Sequence, residues 1–175
     1  MQFFFERGDE EKMKRPSWDY HCMAQARLAS EMSTCAAGRK VGAVFVRDKR
    51  VLATGFNGVP TGYPHPTECI RREQGVPSGQ GLDLCVCAHA EANGIANAAR
   101  HGVALKGSTV YVTCQPCSQC MGALANVGVE RVVFGDPYPD YRSEKIAIYA
   151  NIALERLDTD ITNAEVSVHR IGGSK

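Results

Sequence analysis

The sequence predicts an α/β fold of three layers, α/β/α, in which helices cover both faces of a mixed five-stranded sheet. The main observation is that short β-rich runs alternate with segments of helical periodicity, in the order α-β-β-loop-α-β-α-β-α-β. The second is the length of 175 residues, 44% of them apolar, which is enough to bury the core of one domain. We therefore expect a loosely ordered tail over 1–16 and a single domain over 17–175.

The first elements are a helix and a hairpin. Ser17 is a suitable N-cap, and apolar residues recur after it at the three- and four-residue steps of a helix. Two β-rich runs come next, and the Asp48-Lys49 pair between them predicts an antiparallel hairpin. These runs cover 41–46 and 50–54.

A long loop and a second helix follow. Residues 57–84 are rich in glycine and proline, and an irregular segment of this length inside a domain is usually functional or held by something. Helical spacing resumes from His89 to His101, and Gly102 stands where glycine commonly ends a helix. The remaining predicted elements are a strand over 109–113, a helix from Pro116 to Val127 before Gly128, a strand over 129–134, a helix over 143–156 and an edge strand over 165–171.

Composition favours a small substrate. The formal net charge is +1, whereas a chain that grips nucleic acid without base specificity usually carries an excess of lysine and arginine. The apolar run Phe3-Phe4-Phe5 is short and followed by acidic residues, so we expect neither a signal peptide nor a membrane span, and a cytoplasmic location. That compartment keeps thiols reduced, so the eight cysteines indicate metal binding in preference to disulfides.

Two short segments carry the residues of a zinc site. Cys117 and Cys120 are spaced by one helical turn, and the positive end of a helix favours their metal-binding thiolate form. His89 would be the third ligand. Structural zinc sites usually have four protein ligands, so three leave a position for water. A lone CxxC also occurs in redox pairs and in halves of structural zinc sites. Its combination with the segment His89-Ala90-Glu91 favours a catalytic zinc site.

Glu91 follows two residues after His89 and is the predicted catalytic residue. Zinc makes its bound water acidic enough to supply hydroxide near neutral pH, and hydroxide can attack an amino-bearing ring carbon. Glu91 would take the proton of that water, protonate the ring nitrogen and assist the departure of ammonia. H-x-E together with P-C-x-x-C is the signature of zinc-dependent deaminases of nucleobases.

On these motifs the chain resembles the cytidine deaminase superfamily and, within it, the deoxycytidylate deaminases. The resemblance covers about 15–134, and the family usually has tyrosine at position 56 and alanine at position 94, where this chain has Phe56 and Gly94. The matching segments are Ser33-Thr34-Cys35, Val41-Gly42-Ala43-Val44, Gly55-Phe56-Asn57-Gly58-Val59-Pro60-Thr61-Gly62 and His89-Ala90-Glu91-Ala92-Asn93. The resemblance implies hydrolysis of dCMP to dUMP and ammonia, which supplies thymidylate synthesis.

The resemblance also implies substrate contacts. Asn57 would hydrogen-bond the sugar, while Arg39 or Lys40 would hold the 5′-phosphate. Backbone groups near Ala90 and Gln115 would frame the ring. The alternatives are ordinary: Asn-Gly is also a turn former, and the two basic side chains could be solvated charges. Tyr138 could close over the substrate or serve only in packing.

A second, structural zinc is a further implication of the resemblance. Cys35, Cys69 and Cys85 match family positions, and Pro66 stands where a loop cysteine is usual, so His65 is the predicted fourth ligand. Cys87 is the alternative to His65. A long loop with few apolar side chains also pays an ordering entropy that a metal clip would offset. We interpret Cys114 as a buried thiol that does not compete for the catalytic zinc.

Other functions share the same motifs. A transfer-RNA adenosine deaminase would need a basic groove, and a guanine or free cytidine deaminase would not need Asn57 or a phosphate clamp. A zinc-stabilised interaction domain without catalysis would not need Glu91. Family members are often hexamers regulated by dCTP and dTTP, so we expect a homo-oligomer and consider both nucleotides possible regulators.

Overall fold

The computed structural model describes residues 15–36, 39–77, 80–81, 84–159 and 166–171. Most of the predicted tail over 1–16 therefore lies outside the described residues. The helices are α1 (Trp18–Ser30), α2 (Ile70–Glu73), α3 (Ala90–Arg100), α4 (Ser118–Asn126) and α5 (Tyr141–Tyr149). The strands are β1 (Gly42–Arg47), β2 (Arg50–Phe56), β3 (Thr109–Cys114), β4 (Arg131–Asp136), β5 (Ala153–Thr159) and β6 (Val166–Arg170).

The strands form one mixed sheet in the order β2-β1-β3-β4-β5-β6. Strands β3, β4 and β5 run parallel, β1 is antiparallel to β2 and β3, and β6 is antiparallel to β5. The predicted α/β class with a mixed sheet is confirmed. The described sheet has six strands where the sequence pattern indicated five, because β5 lies between β4 and the edge strand.

Helices pack on both faces of this sheet, as predicted for three layers. On one face, α1 contributes Cys22, Met23 and Ala26 to a buried cluster. Its strand partners are Val44, Val46, Tyr111, Val133 and Leu157. On the other face, α3, α4 and α5 contribute to the larger cluster, which contains Phe45 and Phe134 from the sheet. The period-two alternation of each central strand thus supplies both cores.

The predicted helix over 143–156 is wrong beyond α5, which ends at Tyr149. Asn151 has a left-handed backbone with φ of 57°, a conformation that asparagine tolerates and that ends helices. The chain then returns to the sheet as β5. Leu154 and Leu157 have a spacing compatible with a helix, but they enter the two different cores on opposite faces of the strand.

Other local signals act as predicted. The Ser17 hydroxyl accepts a hydrogen bond from the N–H of Tyr20 at 3.1 Å and caps α1. Asp48 and Lys49 both adopt positive φ, 51° and 62°, and form the tight turn between β1 and β2. Helix α4 begins two residues later than Pro116.

In the part of the chain that the structure describes, no helix has the length and apolar character that crossing a bilayer requires.

A glycine in β2 permits the close approach of α3. A Cβ at Gly55 would overlap the carbonyl oxygen of Ala90 and the backbone nitrogen of Gly94. The side-chain amide of Asn93 also donates a hydrogen bond to the carbonyl of Phe56 at 2.8 Å. Strand β2 therefore fixes the first turn of α3.

Replacement of Gly55 by alanine is expected to lower the free energy of unfolding by about 1–3 kcal/mol, because backbone atoms of α3 must move. Gly122→Ala is the matched control. A Cβ at Gly122 meets no atom within 4 Å, and alanine favours the helix. Denaturant unfolding of the two variants measures the difference. An unfolding free energy for Gly55→Ala equal to that of the unsubstituted protein would contradict this packing.

Candidate functional site

The site is formed at the N-termini of α3 and α4. His89 is the N-cap residue of α3, and Cys117 is the N-cap residue of α4. An N-cap side chain commonly accepts a hydrogen bond from the first turn, but neither of these does so. The two side chains instead contact each other, and Cys120, one turn into α4, joins them.

The three donor atoms have the spacing expected for ligands of one metal ion. His89 Nδ1 lies 3.5 Å from Cys117 Sγ and 3.4 Å from Cys120 Sγ. With ordinary zinc–nitrogen and zinc–sulfur bonds, the N···S edge of a tetrahedral site measures about 3.6 Å. One imidazole and two thiols are also a donor set that zinc accepts. The residues therefore fit a zinc ion bound by three protein ligands.

The electrostatics of the group favour a metal-binding thiolate. Hydrogen bonds from Cys120 and His89 lower the pKa of Cys117 to about 4. The same contact with Cys117 raises the pKa of His89. The contact with Cys117 also raises the pKa of Cys120, so of the two thiols Cys117 is the one favoured as the thiolate, the form that binds metal.

Glu91 lies beside these ligands in the first turn of α3. Its side chain is only 3% exposed, and it lines the cavity that opens onto His89 and Cys117. Burial raises the pKa of its carboxyl group. A carboxyl group in such an environment can accept a proton and return it. Among the described residues that line the cavity, Glu91 is the only carboxylate.

Cys114 lines the cavity but does not belong to the three-residue group. Its thiol contacts the carbonyl of Gln115 at 3.7 Å. Burial raises the pKa of Cys114 to about 11, so the thiol is protonated near neutral pH. These properties favour the interpretation of Cys114 as a buried thiol over that of a competing ligand.

The cavity has a volume of about 360 Å³, which is within the range of small-molecule sites. Most of the predicted substrate-binding residues line it. These are Arg39, Asn57, Ala90, Gln115 and Tyr138. Lys40 does not line the cavity, and its ammonium group pairs with Glu31 at 2.6 Å.

Asn57 is held by several hydrogen bonds within the protein. Its Oδ1 accepts from the N–H of Val41 at 2.8 Å and from the hydroxyl of Ser33 at 2.7 Å. Its Nδ2 donates to the carbonyl of Arg39 at 2.9 Å. One hydrogen of Nδ2 is left by these bonds. Asn57 therefore positions the segment before β1, and the predicted sugar contact depends on that hydrogen.

Helix α5 supports the segment between β3 and α4. Oε1 of Gln115 accepts from the N–H of Tyr138 at 3.2 Å, and its Nε2 donates to Glu144 at 3.4 Å. The hydroxyl of Ser143 donates to the carbonyl of Pro116 at 2.6 Å. The Gln115 side chain is thus used within the protein, and the framing of a substrate ring by nearby backbone groups stays a prediction.

A second cysteine cluster lines the same cavity. The sulfur atoms of Cys35, Cys85 and Cys87 all lie within 4.8 Å of one another. Burial, together with the two neighbouring thiols, raises the pKa of Cys87 to about 12. Cys69 lines the cavity without belonging to this group, and His65 is exposed and also outside it. The structure therefore brings together two of the four predicted ligands, with Cys87 as the third member.

Hydrogen bonds hold the segments that carry two cysteines of this cluster, Cys35 and Cys87. Gly58 and Ala88 exchange backbone hydrogen bonds of 3.1 and 2.8 Å, which join the start of the loop to the segment before α3. The N–H of Val59 donates to the hydroxyl of Thr34 at 3.1 Å. The residue before Cys35 and the residue after Cys87 are thereby both tied to the start of the loop.

Arg71 and Arg72 line the cavity and were missed by the sequence analysis. Both lie in α2, a single turn within the long loop. The available signal was a pair of arginines directly after Cys69 and Ile70, in a loop predicted to be functional. Because the expected substrate carries a phosphate, a pair of arginines in this loop is a candidate to bind it.

The chain is similar to one family over most of its length. Residues 16–136 match the cytidine and deoxycytidylate deaminase zinc-binding region. A deoxycytidylate deaminase of Mycobacterium phage D29 is 42% identical over 127 residues, which is 70% of this chain and 97% of that protein. A deoxycytidylate deaminase of Schizosaccharomyces pombe is 40% identical over 126 residues, 71% of this chain but 38% of its own length.

A solved structure shows the same similarity in three dimensions. The dCMP deaminase of cyanophage S-TIM5, in complex with dCMP and dUMP, matches with a TM-score of 0.69 and 28% identity. The match covers 81% of this chain and 98% of that one. The structural similarity therefore extends over nearly the whole length of the cyanophage enzyme.

Replacement of Cys117 by alanine is expected to remove about one zinc equivalent per chain, because two ligands do not hold the ion firmly. Cys114→Ala is the matched control and should retain the full content. Metal analysis after dialysis measures both variants. An equal loss of zinc in the two variants would show that Cys114 belongs to the ligand set.

Proposed function

This chain belongs to the family of cytidine and deoxycytidylate deaminases, and on that premise we propose that it is a zinc-dependent enzyme that hydrolyses dCMP to dUMP and ammonia. The observation that carries the proposal is the convergence of His89, Cys117 and Cys120 at a cavity that His89, Cys117 and the buried Glu91 line. The D29 and yeast relatives are named deoxycytidylate deaminases, and the S-TIM5 enzyme was crystallised with dCMP and dUMP. The product dUMP supplies thymidylate synthesis.

The chemistry is divided between the metal ligands and Glu91. His89, through Nδ1, and the sulfur atoms of Cys117 and Cys120 would hold the zinc. When bound, zinc lowers the pKa of a coordinated water to about 7 and so supplies the nucleophile. Glu91 takes a proton from the attacking water and delivers it to the ring nitrogen beside the reacting carbon. It then transfers the second proton to the amino group, which leaves as ammonia, and one water is consumed for each dCMP.

The position of Glu91 suits this exchange because the first turn of its helix and its side chain are both held by packing. Its helix is held against β2 at Gly55, and its side chain is buried. A preorganised proton carrier needs little rearrangement during the reaction.

The character of the cavity favours a mononucleotide over the other substrates considered. Three arginines line it, namely Arg39, Arg71 and Arg72, and a free base or nucleoside would offer them no phosphate. A volume of about 360 Å³ suits a single nucleotide. Transfer RNA would call for an extended basic groove, which the net charge of +1 does not favour.

A second zinc at Cys35, Cys85 and Cys87 is part of the proposal. Their spacing supports it, and a tetrahedral structural site would need one more ligand. Cys69 is our candidate, because it lines the same cavity and precedes α2. His65 is less suited because it is exposed and does not line the cavity. A homo-oligomer and control by dCTP and dTTP remain predictions from the family resemblance.

Replacement of Glu91 by glutamine is expected to leave zinc bound and to lower kcat for dCMP by about 10²-fold to 10⁴-fold, because the amide cannot carry the proton. The loss of ultraviolet absorbance on deamination measures kcat, and metal analysis measures zinc. Glu130→Gln, an exposed change outside the cavity, is the control. Near-normal turnover by Glu91→Gln would refute the assigned role.

Replacement of Cys87 by serine is expected to lower the zinc content from about two ions per chain to about one, with a lower unfolding temperature, because one thiolate ligand of the loop site is lost. His65→Ala should keep both ions. Metal analysis and thermal unfolding of both variants test this. A single zinc in the unsubstituted protein, or loss of the second ion in His65→Ala only, would overturn this ligand set.

A further inference from the structure

The cavity has an excess of positive charge on the wall formed by the loop. Three arginines line it, against Glu91 as the single carboxylate among the described lining residues. Arg39 is partly neutralised, because its guanidinium group pairs with Asp136 at 3.4 Å. Within the described residues, Arg71 and Arg72 form no ion pair. An anion is therefore the ligand that this wall would attract.

Arg71 differs from the other two arginines in how its side chain is held. It is half-buried, whereas Arg39 and Arg72 are exposed. Its Nη2 donates a hydrogen bond to the carbonyl of Pro77 at 3.2 Å, which orients the guanidinium group. Its Nε is buried and has no hydrogen-bond partner in the described structure. A buried donor without a partner is costly, so the protein itself does not satisfy the full hydrogen-bonding capacity of this guanidinium group.

The charge of Arg71 also acts on the reactive side of the cavity. Burial raises the pKa of Tyr138, and the positive charge of Arg71 opposes that rise. Its guanidinium group therefore lines the same cavity as Tyr138 and Glu91.

We infer that Arg71 binds the 5′-phosphate of the substrate and sets the preference of the enzyme for a nucleotide over a nucleoside. This inference rests on the proposed function and makes it more specific. The planar fork of a guanidinium group matches two phosphate oxygens, and the hydrogen bond to Pro77 uses only one of the group's donors. Arg71 takes the main role that the sequence assigned to Arg39 or Lys40, since Arg39 pairs with Asp136 and Lys40 pairs with Glu31 outside the cavity.

The test compares Arg71→Gln and Arg71→Lys with the unsubstituted enzyme on dCMP and on deoxycytidine, which lacks the phosphate. In Arg71→Gln we expect KM for dCMP to rise by about 10-fold to 100-fold, the range for a hydrogen bond to a charged group, while kcat changes little. The low kcat/KM for deoxycytidine should stay the same. Arg71→Lys should restore part of the loss, because lysine keeps the charge without the fork.

Binding measurements separate this inference from the proposed function. Isothermal titration with dUMP and with deoxyuridine should show a loss of affinity in Arg71→Gln for dUMP alone. Zinc content should be unchanged, and Arg100→Gln, an exposed change outside the cavity, should behave like the unsubstituted protein. If the unsubstituted protein neither deaminates dCMP nor binds dUMP, the proposed function itself is wrong.

Three other outcomes would overturn the role of Arg71 alone. Equal losses on dCMP and deoxycytidine in Arg71→Gln would indicate a structural effect on the loop. Unchanged kinetics and unchanged dUMP affinity would mean that another residue holds the phosphate. A loss in Arg72→Gln as large as that in Arg71→Gln would show that total charge, not the position of Arg71, decides affinity.

Discussion

The site depends on the meeting of two helix N-termini. His89 and Cys117 occupy N-cap positions, where a short polar side chain usually caps the helix, and here both side chains are turned towards a shared point. The positive ends of α3 and α4 favour thiolate at that point, and the donor spacing fits zinc. The sheet fixes this arrangement, because β2 holds α3 through a close contact at Gly55 while β3 leads directly into the turn before α4.

The cavity has two parts, a base formed at the N-termini of α3 and α4 and a wall formed largely by the loop between β2 and α3. The base contains Glu91, in the first turn of α3, and the N-cap residues His89 and Cys117. The wall contains Arg71 and the second cysteine cluster, both supplied largely by the segment between β2 and α3. A loop with so little core of its own loses much conformational entropy on ordering. A metal held by its cysteines would offset that loss and would keep the arginines in place over the substrate.

Much of this organisation could be predicted from the sequence because its signals are local. Ser17, the Asp48-Lys49 turn and the apolar alternation of the strands act within a few residues, and the spacing of Cys117 and Cys120 follows from one helical turn. Strand β5 could not be recognised in this way. Its two leucines fit a helical spacing, and only the partner strands determine that they enter different cores.

The loop was the least predictable part of the site, since long-range contacts decide its course. Cys87 joins Cys35 and Cys85 because the Gly58–Ala88 bridge draws the loop ends together, and no local pattern reports that bridge. The family resemblance implies that Asn57 contacts the sugar of the substrate. Three hydrogen bonds of its side-chain amide are instead made within the protein, to Ser33, Val41 and Arg39. Arg71 shows the converse, a residue without a motif that the folded loop brings to the wall of the cavity.

The measurement that tests the central claim most directly is a crystal structure of the zinc-loaded protein with anomalous diffraction at the zinc edge. We expect an anomalous peak about 2.0–2.1 Å from His89 Nδ1 and about 2.3 Å from the sulfur atoms of Cys117 and Cys120, with a solvent oxygen as the fourth ligand. A peak with Cys114 or another protein group as its fourth ligand, or no peak at this position, would refute the zinc site, because a water could then not be activated beside Glu91.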